Sequence, residues 1–421
     1  MQIVVVGLGY VGLPLAVALA KHFDTVGLDV DEKRISELDT GYDRTAEIDE
    51  PRLKASSLTY LSDSAACPPA DVYIITVPTP IDADRKPDLG AVKNATRTVA
   101  GMIDKHRHPI IVYESTVYPG VTEDICGPLI EEVAGLSRGE DFFLGYSPER
   151  INPGDREHTV ERITKVIAGE SPGVTEKLAE MYGKVTSGGV FRAKSIRAAE
   201  AAKVIENAQR DVNIAFMNEL AQIFAHMDIS IWDVLDAART KWNFLPFQPG
   251  LVGGHCIGVD PYYLSYRAQE LGYDPNVILA GRALNDGMAG WLAGEIHKAR
   301  KSTAGSILLL GLTFKENVPD IRNSKVVDLV KALEHLGHHV TVHDPLADPK
   351  ETLKEYSINL ENEALSGRYD CVIGAVSHES YRSLSSGDLA DLLLPGGSVV
   401  DLKRIWNAEN LLSERLEFWS L

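Results

Sequence analysis

The chain has 421 residues, more than one hydrophobic core organises, so two or three domains are expected. Its composition, 44% apolar and 24% charged, is that of a globular protein, and no apolar run reaches the roughly 18 residues of a membrane span. The formal net charge of −18 repels nucleic acid and anionic lipid, so neither is expected as a partner, and any phosphate site must be built locally from backbone N–H groups and a few Lys or Arg side chains.

Short Val/Ile-rich runs at 2–6, 25–28, 72–77 and 110–113 predict strands, and amphipathic stretches at 13–22, 32–39, 89–103 and 122–132 predict helices. That alternation predicts a parallel, doubly wound sheet. The first strand carries no basic segment or small-residue cleavage site before it, unlike a signal peptide. Cys67, Cys126, Cys256 and Cys371 are scattered with no C-x-x-C pair, which predicts reduced thiols, a cytoplasmic location and no metal site. From about 194 to 226 apolar residues recur at helical spacing without Pro or Gly, predicting one long helix and then another at 231–238. Near Ser306 the strand–helix rhythm restarts, with strands at 307–310, 340–342, 371–375 and 398–400 and a helix at 323–336. The predicted class is α/β: two Rossmann-like lobes with parallel doubly wound sheets, joined by a long central helix. The expected divisions are 1–193, 194–300 and 301–421.

Gly7-Leu8-Gly9-Tyr10-Val11-Gly12 is a G-x-G-x-x-G that follows a predicted strand and opens a predicted helix. Gly7 permits the tight turn, Gly9 lets the backbone approach a pyrophosphate, and Gly12 lets the helix pack on the strand. The next strand ends at Asp29, about 20 residues on, where a carboxylate accepts from a ribose diol and repels a 2′-phosphate. NAD is therefore the expected cofactor. The expected cofactor set is Gly7, Gly9, Tyr10, Val11, Gly12, Asp29, Arg34, Thr79, Pro80, Ser115 and Thr116, the last four at later strand ends. Helix capping is the alternative for Thr79 and Thr116.

Cys256 lies between glycines in Gly253-Gly254-His255-Cys256-Ile257-Gly258, with Asp260 four residues on. A cysteine in a glycine-rich loop is placed to reach a ligand, and its thiolate needs cationic neighbours such as His255 or a distant lysine. Lys203 and Asn207 are four apart on the long predicted helix, with Glu200 three before Lys203. Spacing alone reads these three as a solvated face with a helix salt bridge.

Seven motifs in order resemble the UDP-glucose/UDP-N-acetylhexosamine/GDP-mannose 6-dehydrogenase family over essentially the whole chain: G-L-G-Y-V-G-L-P at 7–14, T-V-P-T-P at 76–80, E-S-T-V-Y-P-G at 114–120, Y-S-P-E-R-I-N-P-G at 146–154, E-A-A-K-V-I-E-N at 200–207, G-G-H-C-I-G-V-D-P-Y-Y at 253–263 and G-L-T-F-K-E-N-V-P-D-I-R-N-S at 311–324. His255 and Val259 stand where the glucose enzymes carry serine and lysine, which is similar to the N-acetylhexosamine branch and to enzymes of Vi-antigen-type polysaccharide synthesis. The resemblance implies an NAD-binding domain, a central dimerisation and catalytic domain, and a UDP-sugar-binding domain. It implies four-electron oxidation of C6 of UDP-GlcNAc or UDP-GalNAc to the carboxylate, with two NAD and a thiohemiacetal and thioester on Cys256. The implied catalytic set is Cys256, Lys203, Asn207 and Asp260, with Glu149 as base for thioester hydrolysis and Thr116 ordering the water. The implied substrate set is Glu149, Arg150, Asn152, Lys203, Asn207, Arg239, Phe247, Gly250, Gly253, Phe314, Lys315 and Lys403, with Arg404 a further candidate. Arg239 resembles an arginine that reaches a partner subunit's sugar, which implies a homodimer or higher homo-oligomer.

For Glu149 the alternative is a loop salt bridge with Arg150. The histidines His335, His338, His339 and His343 read as a solvated surface rather than a metal site, and Trp232 and Trp242 as core or dimer contacts. Competing functions are a UDP-glucose 6-dehydrogenase, a two-electron hydroxyacid dehydrogenase, and a nucleotide-sensing protein without chemistry.

Overall fold

The computed structural model describes residues 1–82, 84–150, 157–254 and 257–421, and these form two compact units. The first comprises 1–206 and 262–274, the second 207–261 and 275–421.

The first unit is built on an eight-stranded sheet: β1 (Gln2–Val6), β2 (Asp24–Leu28), β3 (Thr59–Leu61), β4 (Val72–Ile75), β5 (Ile110–Tyr113), β6 (Phe143–Tyr146), β7 (Lys165–Gly169) and β8 (Val190–Arg192). Their spatial order is β3-β2-β1-β4-β5-β6-β7-β8. The order reverses between β1 and β4, which opens the crevice where ligands bind in such sheets. Strands β1, β4 and β5 are continuous apolar runs because helices cover both faces, and the helix Gly12–Ala20 is buried at every residue. The expected all-parallel sheet is corrected at one place: β6 and β7 pair antiparallel, Gly145 opposite Gly169. Among the described residues between them no helix occurs, and a parallel crossover usually carries one. The helix expected at 122–132 is instead a π-turn, Val121–Cys126, continued by the helix Gly127–Ala134.

The second unit carries a five-stranded, all-parallel sheet of β9 (Ser306–Leu310), β10 (His339–His343), β11 (Tyr369–Gly374), β12 (Leu393–Asp401) and β13 (Glu417–Ser420). Its order, β10-β9-β11-β12-β13, again reverses beside its first strand. Its core joins the sheet's apolar residues, such as Ile307 and Leu309, to Met288, Leu292 and Ile296 of the helix Asn276–Ala299. The long helix spans Ile196–Ala225; its first turns belong to the first unit and its remainder to the second.

Candidate active site

The turn after β1 is fixed by its sequence. Gly7 has φ +95°, and its N–H donates to Leu28 O at the end of β2 (2.8 Å). A Cβ on Gly12 would lie 1.8 Å from Gly7 O and 2.4 Å from Thr76 Oγ1, so only glycine lets the helix lie this close to the strand. Among the described residues a Cβ on Gly9 would meet nothing within 4 Å, leaving open space in front of a helix N-terminus. Asp29 Oδ2 accepts from Leu8 N (2.7 Å) and Oδ1 from Asp31 N (3.0 Å). Each oxygen keeps acceptor capacity, and the residue is half-exposed. Tyr10 and Val11 flank the turn, both half-buried. Open backbone, helix N-terminus and acid together fit a dinucleotide without a 2′-phosphate. Arg34 is buried, with Nε donating to Leu8 O (3.0 Å) and Nη2 paired with Asp43 (2.7 Å); it braces the turn from beneath.

The ends of β4 and β5 adjoin this turn. Thr76 Oγ1 donates to Gly7 O (2.7 Å) and Ser115 Oγ to Val77 O (2.6 Å), so the Ser115 hydroxyl ties two loops together. Tyr263 is buried and its hydroxyl donates to the Thr79 and Pro80 carbonyls (2.9 and 3.1 Å). The capping alternative for Thr79 and Thr116 is corrected, because the helices that follow are capped at Leu89 and Gly120. Thr116 is half-buried.

Glu149 follows β6 and is 7% exposed. Beside it lies a cluster the sequence did not disclose. Lys165 and Glu114 are both 0% exposed and paired at 2.6 Å, and Tyr182 donates to the other Glu114 oxygen. Burial pushes the Glu114 carboxyl up, Lys165 pulls it back, and the charge of Glu149 pushes it up again. Arg150 is exposed and pairs with Glu206 at 2.7 Å.

The solvated-face reading of the long helix is corrected. Glu200, Lys203 and Asn207 are 0%, 7% and 8% exposed. Glu200 accepts from Gly120 N (2.6 Å) and Thr122 N (3.0 Å), holding the start of the π-turn, and burial pushes its carboxyl up to about 7. Asn207 Nδ2 donates to Asp260 Oδ2 at 2.5 Å, and Asp260, 2% exposed, opens the helix Asp260–Glu270. Cys256, His255 and Asn152 lie outside the described residues.

In the second unit a small cleft is lined by Gly253, Phe314, Lys315, Ser377 and Lys403, so four expected substrate residues line it together. A Cβ on Gly253 would lie 2.6 Å from Asn323 O, and one on Gly250 2.6 Å from Lys403 Nζ, so both glycines keep this wall close-packed. Burial pushes the Lys403 ammonium down while Glu316 pulls it up. Phe247 is half-buried against the core of this unit. Lys325, which was not anticipated, also lines the cleft and pairs with Asp328 at 2.9 Å. Its signal was a lysine in the first helical turn after Ser324. Arg239 reaches Asp236 through Nη1 (3.3 Å), while Nε and Nη2 are buried and find no hydrogen-bond partner among the described residues. Arg404 pairs with Asp236 (2.9 Å) and lies over the Trp232 ring face. Trp232 is core, whereas Trp242 is 92% exposed. The solvated-surface reading fails for His338, which is 4% exposed and bonded to His297 and Gly305 N. Among the described residues no helix is long and apolar enough to cross a membrane.

The chain is a dehydrogenase that pairs a dinucleotide with a nucleotide-bearing substrate. It belongs to the UDP-glucose/GDP-mannose dehydrogenase family: residues 1–186 match its NAD binding domain, 197–287 its central domain and 308–408 its UDP binding domain. NAD is its cofactor and a UDP-sugar its substrate class. It is 50% identical to Protein CapL of Staphylococcus aureus over 100% of this chain and 99% of that one. It is 48% identical to a UDP-N-acetyl-D-glucosamine 6-dehydrogenase of Pseudomonas aeruginosa over 96% of each. Among solved structures, a UDP-D-ManNAc dehydrogenase from Pyrococcus horikoshii matches with TM-score 0.89 and 28% identity, covering 100% of this chain and 99% of that one.

Proposed function

We propose that the protein oxidises the C6 hydroxymethyl group of a UDP-N-acetylhexosamine, UDP-GlcNAc or UDP-GalNAc, to the carboxylate, in the cytoplasm and for surface polysaccharide synthesis. The observation that carries this reading is near-full-length identity of 48% to a relative named for UDP-N-acetyl-D-glucosamine. The His255 and Val259 substitutions support the N-acetyl substrate. We take the working divisions to be 1–193, 194–300 and 301–421, with the nucleotide of the substrate held by Phe314, Lys315, Lys403 and Gly253.

Gly7, Gly9, Gly12 and Asp29 would hold NAD, which would supply the hydride acceptor for each of two oxidations. In the first, Lys203 and Asp260, with Asn207 and a bound water, serve to remove the alcohol proton and hold the developing alkoxide. A donor aimed at such an oxyanion contributes about 2.7–4 kcal/mol in a water-excluded site. The Cys256 thiol then adds to the aldehyde, and loss of the remaining hydride and the hydroxyl proton leaves a thioester. Glu149, with Thr116, takes a proton from the water that hydrolyses it, which frees the carboxylate and the thiol. The buried Glu114–Lys165 pair lies close enough to Glu149 for its charge to be felt at Glu114. A homodimer is part of this reading: Ile205, Phe216 and Ile223 are 53%, 52% and 45% exposed at helical spacing on the long helix, and two Arg239 guanidinium nitrogens find no partner among the described residues.

NADH release on UDP-Glc, UDP-Gal, UDP-GlcNAc and UDP-GalNAc tests the substrate, with about two NADH per sugar expected for the N-acetyl pair only. Cys256→Ser is expected to stop uronate formation while NAD binding survives. Full turnover by that variant, or one NADH per sugar in the native enzyme, sinks the covalent route.

A further inference from the structure

The loop from Gly311 to Asn317 carries Phe314 and Lys315 into the cleft of the second unit. It is held from both ends. At its start, Leu312 N and Thr313 N donate to Asp344 Oδ2 (2.6 and 3.0 Å). At its far end, Asn317 N donates to His378 Nδ1 (3.0 Å). A ring nitrogen that accepts carries no proton, so in the neutral imidazole the proton is on Nε2. That Nε2 lies 3.1 Å from Asp344 Oδ2 and 3.1 Å from Thr313 Oγ1. The Thr313 hydroxyl donates onward to Lys315 O (3.0 Å). His378, Asp344 and Thr313 are 1%, 4% and 0% exposed. Asn317 has φ +59°, a conformation that must be held in place, and its side chain accepts from Glu379 N.

We propose that His378 is a positioning residue for the substrate nucleotide: one buried imidazole ties both ends of the loop that presents Phe314 and Lys315. Ser377, its chain neighbour, lines the same cleft. The inference deepens the reading above and rests on that cleft holding the UDP moiety.

Calorimetric titration of UDP, with NAD in parallel, separates the two. Lys315→Met tests the cleft. His378→Gln places an amide donor near the Nε2 position and leaves Asn317 N–H without its acceptor, whereas His378→Asn keeps an acceptor near the Nδ1 position. His378→Gln is expected to weaken UDP binding about tenfold, the value of one buried hydrogen bond, with NAD affinity unchanged. His378→Asn should lie between it and the native protein. If Lys315→Met weakens UDP while His378→Gln stays within about twofold of native, the clamp is overturned and the cleft reading stands. An unaffected Lys315→Met overturns the cleft reading itself. Equal loss of UDP and NAD affinity in His378→Gln, or stronger binding by it than by His378→Asn, also overturns the clamp.

Discussion

The turns after β1 and β9 begin alike and end differently. Gly7 and Gly311 have φ of +95° and +96°, and each donates its N–H to the end of the neighbouring strand, Leu28 O and His343 O. Leu8 N and Leu312 N each donate to the acid that follows that strand, Asp29 (2.7 Å) and Asp344 (2.6 Å). Two residues past the first glycine they diverge. Gly9 faces open space, while Thr313 is 0% exposed and bonds back into its own loop. Asp29 stays half-exposed, while Asp344 is enclosed by His378 and by the amides of Leu346 and Ala347. The first helix starts at once, at Gly12; the second waits until Lys325. One starting turn thus becomes a backbone cradle for phosphates when its third position is empty. Filled, it becomes a stiff platform for side chains.

The largest effect tests that emptiness. Gly9→Val is expected to fold normally, because nothing lies within 4 Å, yet to lose NAD affinity at least about 100-fold, with UDP affinity kept. Retained NAD binding would break the comparison at its root. The converse change, Thr313→Gly, is expected to loosen the second turn without creating a NAD site.

A middle-sized effect separates the two acids. Asp344→Ala removes the acceptor for Leu312 N, Thr313 N, Leu346 N and Ala347 N together, and should cost roughly 2–4 kcal/mol of stability by denaturant titration. Asp29→Ala, with fewer bonds, should cost less stability and more NAD affinity. Equal melting temperatures for the two variants would count against the distinction.

The smallest effect is a pH slope. Burial raises the Glu200 carboxyl to about 7, above its unfolded value, so the folded state holds a proton that the unfolded chain has lost. Its contribution is complete below about pH 4 and fades as pH rises through 7. Asp344 has the opposite sign: although burial pushes its carboxyl up, hydrogen bonds from His378, Leu312 N and Thr313 N hold it well below the usual range. Its contribution is present above about pH 4 and is lost as acid protonates it. Glu200→Gln should therefore flatten the decline in melting temperature between pH 5 and 8, by about one degree or two. An unchanged slope would show that Glu200 is not the group responsible.

What the sequence could disclose was local. The spacing of Gly7, Gly9, Gly12 and Asp29 is a property of one strand–turn–helix–strand unit, so it reads directly from the chain. The pairing of Lys165 with Glu114, 51 residues apart, and of His378 with Asp344, 34 apart, depends on strand order, which no short window holds. Helical spacing put Glu200, Lys203 and Asn207 on one face but did not say which face was covered, hence the error over solvation. Strands β3, β6, β7, β8 and β13 were passed over because aromatic, glycine or charged residues interrupt the Val/Ile run that marks β1, β4 and β5.

The contact at Gly12 constrains how the protein can change. With Gly7 O 1.8 Å from the site of any added carbon, no other amino acid fits there without moving the first helix. Natural drift or laboratory evolution toward another dinucleotide must therefore travel through Asp29 and its surroundings. Position 12 remains a fixed point in every viable descendant.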